Sequence, residues 1–351
     1  MSAPDPSGRL SRSRADAADT RRSLVIVAGS GRSGTSLFTG LAGRLGYRIP
    51  LPEVKADGSN PMGFGEPRWA VDFHDELLAS IAVNAEDGRP EAWAKAAQAC
   101  ERPRAQARVK GWLEEQFALS EKVVVKDPRL SWFLTLYRLA ADELDVDLSV
   151  VTMLRHPAES IKSRELAYGS GSAPTTRMVG WINMMLGTEA ATRDLSRAIV
   201  SYDALLADWK SAFAGALDGA LLAGATPGQI GDADGLVDPS LRRADPTWDG
   251  LGLPPSVREL AERTHDTLGR VADGHGATAE LDELRERFGD LYAEAEMIAR
   301  SSARGARMEG RRAGAREAHE QGASSPAAGP ASVVRRTARR VVDGLRRRVK
   351  R

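Results

Sequence analysis

Residues 24–36 read LVIVAGSGRSGTS, and no other stretch constrains the fold as tightly. Five apolar residues, 24–28, have the length and bulk of a short buried strand. Gly29, Gly31 and Gly34 follow within six positions, and Thr35 and Ser36 open a helix whose apolar face is Leu37, Leu41 and Leu45. A strand, a glycine-rich turn and a helix N-terminus in this order form an anion cradle. Glycines let backbone N–H groups close on an anion, and the helix end adds partial positive charge. The Gly29-x-x-x-x-Gly34 spacing is that of a P-loop, but Thr35 stands where a P-loop has Lys, and Arg32 lies inside the loop instead.

Three further apolar runs predict strands at 123–125, 148–154 and 198–202. Helical patterns lie between and after them, at 69–83, 92–117 with a break at Pro103, 132–144, 157–167 and 178–195. Nearly continuous apolar strands alternating with helices predict an α/β fold, a P-loop-type parallel sheet flanked by helices on both faces. Loops are expected over 49–67 and 223–255, and helices return at 257–271 and 277–299. The flanks differ in composition. Residues 1–22 are rich in Ser, Arg, Asp and Ala and read as a disordered head before an α/β domain over 23–300. Residues 301–330 read as a low-complexity linker. Residues 331–351 carry nine basic residues and one acid, with apolar residues at helical spacing, which predicts a basic amphipathic helix. Such a helix suits peripheral contact with anionic lipid, or packing on a partner.

Composition narrows the function classes. Net charge is only +1 and no aromatic residues interleave the basic tail, so no nucleic-acid partner is expected. The single cysteine, Cys100, excludes an intrachain disulfide and a cysteine-based metal cluster, and the five histidines lack ligand spacing. No metal is expected. No apolar run approaches the roughly 20 residues of a membrane span, and no secretory signal is recognisable at the N-terminus. The expected location is cytoplasmic, with the basic tail suited to the inner membrane face.

Two more strand ends carry charge. VVVKDPR over 123–129 ends a strand in Lys126, and VTMLRHPAES over 151–160 ends one in Arg155, with Pro157 opening a helix that carries Ser163. In a parallel sheet these tips emerge on the same edge as the glycine loop, where ligands bind in open α/β sheets. Arg32, Lys126 and Arg155 are then expected to ring one crevice. Arg129 is either a fourth cation there or a partner of Asp127.

With these residues in place the chain resembles the sulfotransferase family, which moves a sulfuryl group from 3′-phosphoadenosine 5′-phosphosulfate (PAPS). GSGRSGTS over 29–36 is similar to the family's 5′-phosphosulfate loop in its Arg form, and Arg155 with Ser163 matches its 3′-phosphate pair. Lys126-Asp127-Pro128 resembles a motif of tyrosylprotein- and carbohydrate-type members. YDALLADW over 202–209 and VDPSLRR over 237–243 resemble two later segments, the second near the nucleotide. The resemblance spans about 24–243. It implies that Ser30, Gly31, Arg32, Ser33, Gly34, Thr35 and Ser36 hold the 5′-phosphosulfate, and that Arg155, Ser163 and Arg243 hold the rest of the donor. It also makes sense of the missing P-loop Lys. A P-loop kinase neutralises a triphosphate with that Lys and Mg²⁺, whereas PAPS leaves a 5′-phosphate whose growing charge Arg32, Lys126 and backbone N–H groups can stabilise.

The acceptor implied is a hydroxyl, or an amine, of a glycan, glycolipid or other glycoconjugate, and the reaction needs a base. NPMGFGE over 60–66 is similar to a family segment in bacterial members, with Gly65 where Trp is usual, and makes Glu66 the first choice. Glu53 is second, with His74, Asp127 and His156 behind. Two other readings stay open at this stage, a P-loop nucleotide kinase and a non-catalytic nucleotide-binding scaffold.

Overall fold

The computed structural model describes residues 21–323, apart from Ser170, Asp218 and Arg243. Residues 1–20 of the expected head (1–22) and the basic helix over 331–351 lie outside the described residues.

Four strands, β1 (Ser23–Ala28), β2 (Lys122–Lys126), β3 (Asp147–Leu154) and β4 (Ser196–Ser201), form one sheet in the order β2-β1-β3-β4, every pair parallel. The glycine-loop strand is therefore central and buried along its length. Strand alternation divides its side chains between two cores. Leu24, Ile26 and Ala28 join one apolar cluster, and Val25 and Val27 join another on the opposite face. The first face is covered by α2 (Arg68–Ser80), α3 (Ala92–Cys100), α4 (Pro103–Phe117) and α5 (Leu134–Leu144). The second is covered by α1 (Thr35–Arg44), α9 (Trp209–Ala216) and α11 (Pro227–Asp234). The fold is α/β, with a parallel sheet between helical layers.

Pro103 separates α3 from α4, as the sequence predicts, because Pro suits a first helical turn but not a helix interior. After β3 come α6 (Pro157–Tyr168) and α7 (Pro174–Ala191). Beyond β4, Tyr202 leaves the strand and opens α8 (Tyr202–Ala207), which α9 follows directly. The loop expected over 223–255 contains the short α10 (Ala220–Ala223) at its edge and all of α11. A capping box starts α11: Thr226 and Gln229 exchange bonds reciprocally, and Pro227 sits at the first helical position.

Helix α12 (Pro255–Ala272) packs on α7 and β4, and α13 (Thr278–Ala323) buries Leu281, Leu284 and Phe288 in its first turns. The chain divides into two units at Asp290 and Leu291. In the second, α13 runs on to Ala323 with residues 293–316 exposed. The linker expected from 301 is thus helical through Ala323. Its Ala, Arg and Glu content favours helix without any apolar face to bury. No helix among the described residues is long and apolar enough to cross a membrane.

Candidate active site

The register places three charged strand tips on one edge. Ala28 pairs with Thr152 and Val27 with Lys126, so Gly29, Lys126 and Arg155 all emerge at the carboxyl ends of their strands. A cavity of about 490 Å³ opens there, lined by Arg32, Ser36, Glu66, Arg155 and Ser163 among others.

The loop itself is shaped by close approach. Gly34 takes φ +91°, and a Cβ on it would stand 2.5 Å from the Tyr202 ring. Only glycine satisfies both conditions. Arg32 takes φ +70°, unusual for a side chain of its size, and two contacts hold it there. Its Nε donates to Ser163 Oγ at 3.3 Å and one terminal nitrogen donates to the Ser59 carbonyl at 3.2 Å. Ser163 thus meets Arg32 directly rather than acting beside Arg155 alone.

Arg155 is buried and almost fully engaged. One terminal nitrogen donates to the Arg32 carbonyl at 2.6 Å, and the other to Glu159 Oε1 at 2.5 Å. Its guanidinium lies 4.3 Å from the centre of the Tyr202 ring. Glu159, one helical turn along α6, is fully buried and also receives two bonds from Arg242, at 2.7 and 2.9 Å. Burial pushes the Glu159 carboxyl up, but the bonds from Arg155 and Arg242 outweigh it and hold the group below its ordinary range. Arg242 in turn pairs with Asp203 at 2.8 Å. Arg243, expected at the donor, lies outside the described residues; its neighbour Arg242 buttresses Arg155 through Glu159.

Lys126 approaches from β2. Its ammonium donates to Glu66 Oε1 at 2.5 Å and to Ser36 Oγ at 3.4 Å. Ser36 donates to the Phe64 carbonyl at 3.0 Å and accepts from Asn60 Nδ2 at 3.2 Å. One hydroxyl thereby joins α1, β2 and the 60–66 segment. Gly65 takes φ +64° and would set a Cβ 3.0 Å from the Thr39 side chain, so a Trp in its place would meet both strain and a wall.

The other base candidates lie elsewhere. His74 is fully buried, with Nδ1 2.7 Å from Asp127 Oδ2 and Nε2 3.0 Å from the Tyr137 hydroxyl. A carboxylate only accepts, so Nδ1 carries the proton. Asp127 also accepts from the backbone and side chain of Arg129, and Arg129 reaches on to Asp75. Burial pushes Asp127 up, yet His74 and Arg129 overcome it and hold the carboxyl at about 2. His74 and Asp127 therefore belong to a buried network that reaches the cavity through Arg129, which both partners Asp127 and lines that space. Asp127 orients Arg129, not Lys126. His156 caps the start of α6, with its ring against Trp248 and His265. Glu53 forms a backbone bridge with Pro67, and burial raises its carboxyl. Of the five, Glu66 lines the cavity.

Two buried polar atoms in the cradle lack hydrogen-bond partners, Ser33 Oγ and Arg155 Nε. Such atoms are costly unless a ligand or water satisfies them. Among the described residues no group of three or more His, Cys, Asp or Glu is arranged to hold a metal ion. Glu159, Arg242 and Tyr202 complete the site around Arg155. Glu159 was signalled only by its i+4 distance from Arg155.

No family model matches the chain, and no curated protein matches it. Among solved structures, it is similar to the sulfotransferase domain from the Synechococcus PCC 7002 olefin synthase, with a TM-score of 0.34 at 16% identity, over 78% of this chain and 95% of that one.

Proposed function

We propose that the protein is a PAPS-dependent sulfotransferase acting on a hydroxylated acceptor. The observation that carries this reading is the state of Arg155. It is buried, anchored by Glu159, bonded to the loop through the Arg32 carbonyl, and left with an unpartnered Nε. A buried cation fixed this firmly, next to a glycine loop at a helix start, is built for an anionic ligand. Two cationic positions, Arg32 in the loop and Arg155 at the β3 tip, suit a nucleotide with phosphates at both ends better than a triphosphate.

The donor supplies an activated sulfuryl group on a 5′-phosphate. The chain supplies the rest. Loop N–H groups and Arg32 bind the 5′ end, and Arg155 selects the 3′-phosphate. In this reading Lys126 stabilises the charge that grows on the departing phosphate. Glu66 keeps one oxygen on Lys126, and in this reading its carboxylate takes the proton of an acceptor hydroxyl. The motif resemblance favours a glycan or glycoconjugate as acceptor.

The test is incubation with ³⁵S-labelled PAPS and a panel of glycans, lipids and phenols, for wild type and Glu66→Ala. Labelled product from wild type and a loss of about 10²-fold or more in Glu66→Ala are expected. Full turnover in the variant would remove Glu66 as base. Thermal stabilisation by adenosine 3′,5′-bisphosphate, greater than that by ATP at equal concentration, is the accompanying binding result. The reverse order would favour a nucleotide kinase.

A further inference from the structure

Arg164 follows Ser163 on α6. Its guanidinium lies on the glycine loop: one terminal nitrogen stands 3.1 Å from where a Cβ of Gly31 would be. Because Gly31 has no side chain, the guanidinium can stand this close to the loop. Arg164 also lines the cavity beside Arg32 and Ser163. Its partner is Glu86, from the connection between α2 and α3, with which it forms an ion pair, and its guanidinium sits 5.7 Å from the Tyr168 ring.

The cradle's two anchored arginines differ in how they are held. Glu159 holds Arg155 from full burial and is itself locked by Arg242. Glu86 is only partly buried and lines the same cavity as its arginine. A second cation stands within electrostatic reach of Glu86: Arg177, which is buried and has an unpartnered terminal nitrogen. Glu86 would therefore keep a positive neighbour if Arg164 moved away. A guanidinium has five N–H donors in a fixed fork, and a carboxylate and a phosphate compete for the same edge of it.

We propose that Arg164 is an additional anion-contacting residue of the cradle, restrained by Glu86 in the free protein and transferred to the anion on the glycine loop when the donor binds. This rests on the sulfotransferase reading for the identity of that anion, a 5′-phosphosulfate or 5′-phosphate. Glu86 then acts as a competitor. It weakens donor binding by the strength of the ion pair that must be broken. The same arrangement favours product release, because the carboxylate reclaims the guanidinium as the bisphosphate leaves.

A competitor and a mere support predict opposite signs. Calorimetric titration of the full-length chain with adenosine 3′,5′-bisphosphate should show Arg164→Gln weakening binding about tenfold, the scale of one charge-assisted hydrogen bond. Arg164→Lys should recover part of that loss. Glu86→Gln should tighten binding severalfold, and the double variant should behave as Arg164→Gln alone. Wild-type affinity in Arg164→Gln overturns the proposal, as does weakened binding in Glu86→Gln, which would make Glu86 a support. Inorganic sulfate serves as a second probe, read by thermal stabilisation. If wild type ignores the bisphosphate but sulfate stabilises it and not Arg164→Gln, the donor reading falls and the role of Arg164 stands. If neither anion acts on wild type, both fall.

Discussion

Lys126 and Asp127 are adjacent in the chain and opposite in circumstance. The backbone is extended at both, so successive side chains leave the strand on opposite sides. Lys126 points to Glu66 and Ser36, both of which line the cavity. Asp127 turns into the core, where His74 and Arg129 use its oxygens fully. Both are buried and both are ion-paired. Glu66 and Ser36, the partners of Lys126, both line the cavity; of the partners of Asp127, Arg129 lines it and His74 does not. Glu66 lines the cavity, whereas His74 is sealed beneath Phe73, Phe133 and Tyr137.

The comparison can be broken at either residue. Asp127→Ala strips a fully buried carboxylate from His74 and Arg129 and should cost about 3–5 kcal/mol in urea unfolding, since it strands charges in the core. The folded fraction should still bind adenosine 3′,5′-bisphosphate. Lys126→Met should show the reverse pattern, with a native circular-dichroism spectrum and sulfuryl transfer reduced about 10²–10³-fold. Equal losses of stability and activity in both variants would erase the distinction.

Acid sharpens it. Asp127 is held at about 2 in the folded chain against an ordinary 3.8. A depressed carboxylate contributes stability that is present above about 3.8 and lost as pH falls through about 2. Urea midpoints measured across that window should therefore drop by an amount equivalent to roughly 2 kcal/mol. The part due to Asp127 should be missing in Asp127→Asn. The smallest effect belongs to Tyr137→Phe, which removes one hydroxyl from His74 Nε2 and should cost about 1 kcal/mol with no change in bisphosphate affinity.

The sheet and the cradle were legible because their signals are local. All four strands occur as apolar runs, and the glycine loop sits between one of them and an amphipathic helix. The common edge for Gly29, Lys126 and Arg155 follows from parallel pairing alone. Helix α11 was missed although Thr226, Pro227 and Gln229 announce its start, because the glycines and prolines around it read as loop. The pairing of Glu159 with Arg242 spans 83 positions, and that of Glu86 with Arg164 spans 78, so no periodicity reports them. His74 could be listed among candidate bases because sequence shows a titratable ring but not the hydrophobic lid over it. The helix beyond residue 300 was missed for the opposite reason. It has strong intrinsic propensity and no apolar stripe, so its helical period leaves no mark in the hydrophobic pattern.

Tyr202 stands at the junction of these long-range effects. Its ring lies against Gly34 on one side and under Arg155 on the other, yet it enters the chain almost 170 residues after the loop it shapes. The glycine motif is therefore an unfinished mould. A nascent chain that has produced β1, the loop and α1 carries the motif but not the wall that sets its width. Anion affinity should arise late in synthesis, when β4 docks at the edge of the sheet and brings Tyr202 with it. Donor binding would then stabilise only chains whose last strand has found its place.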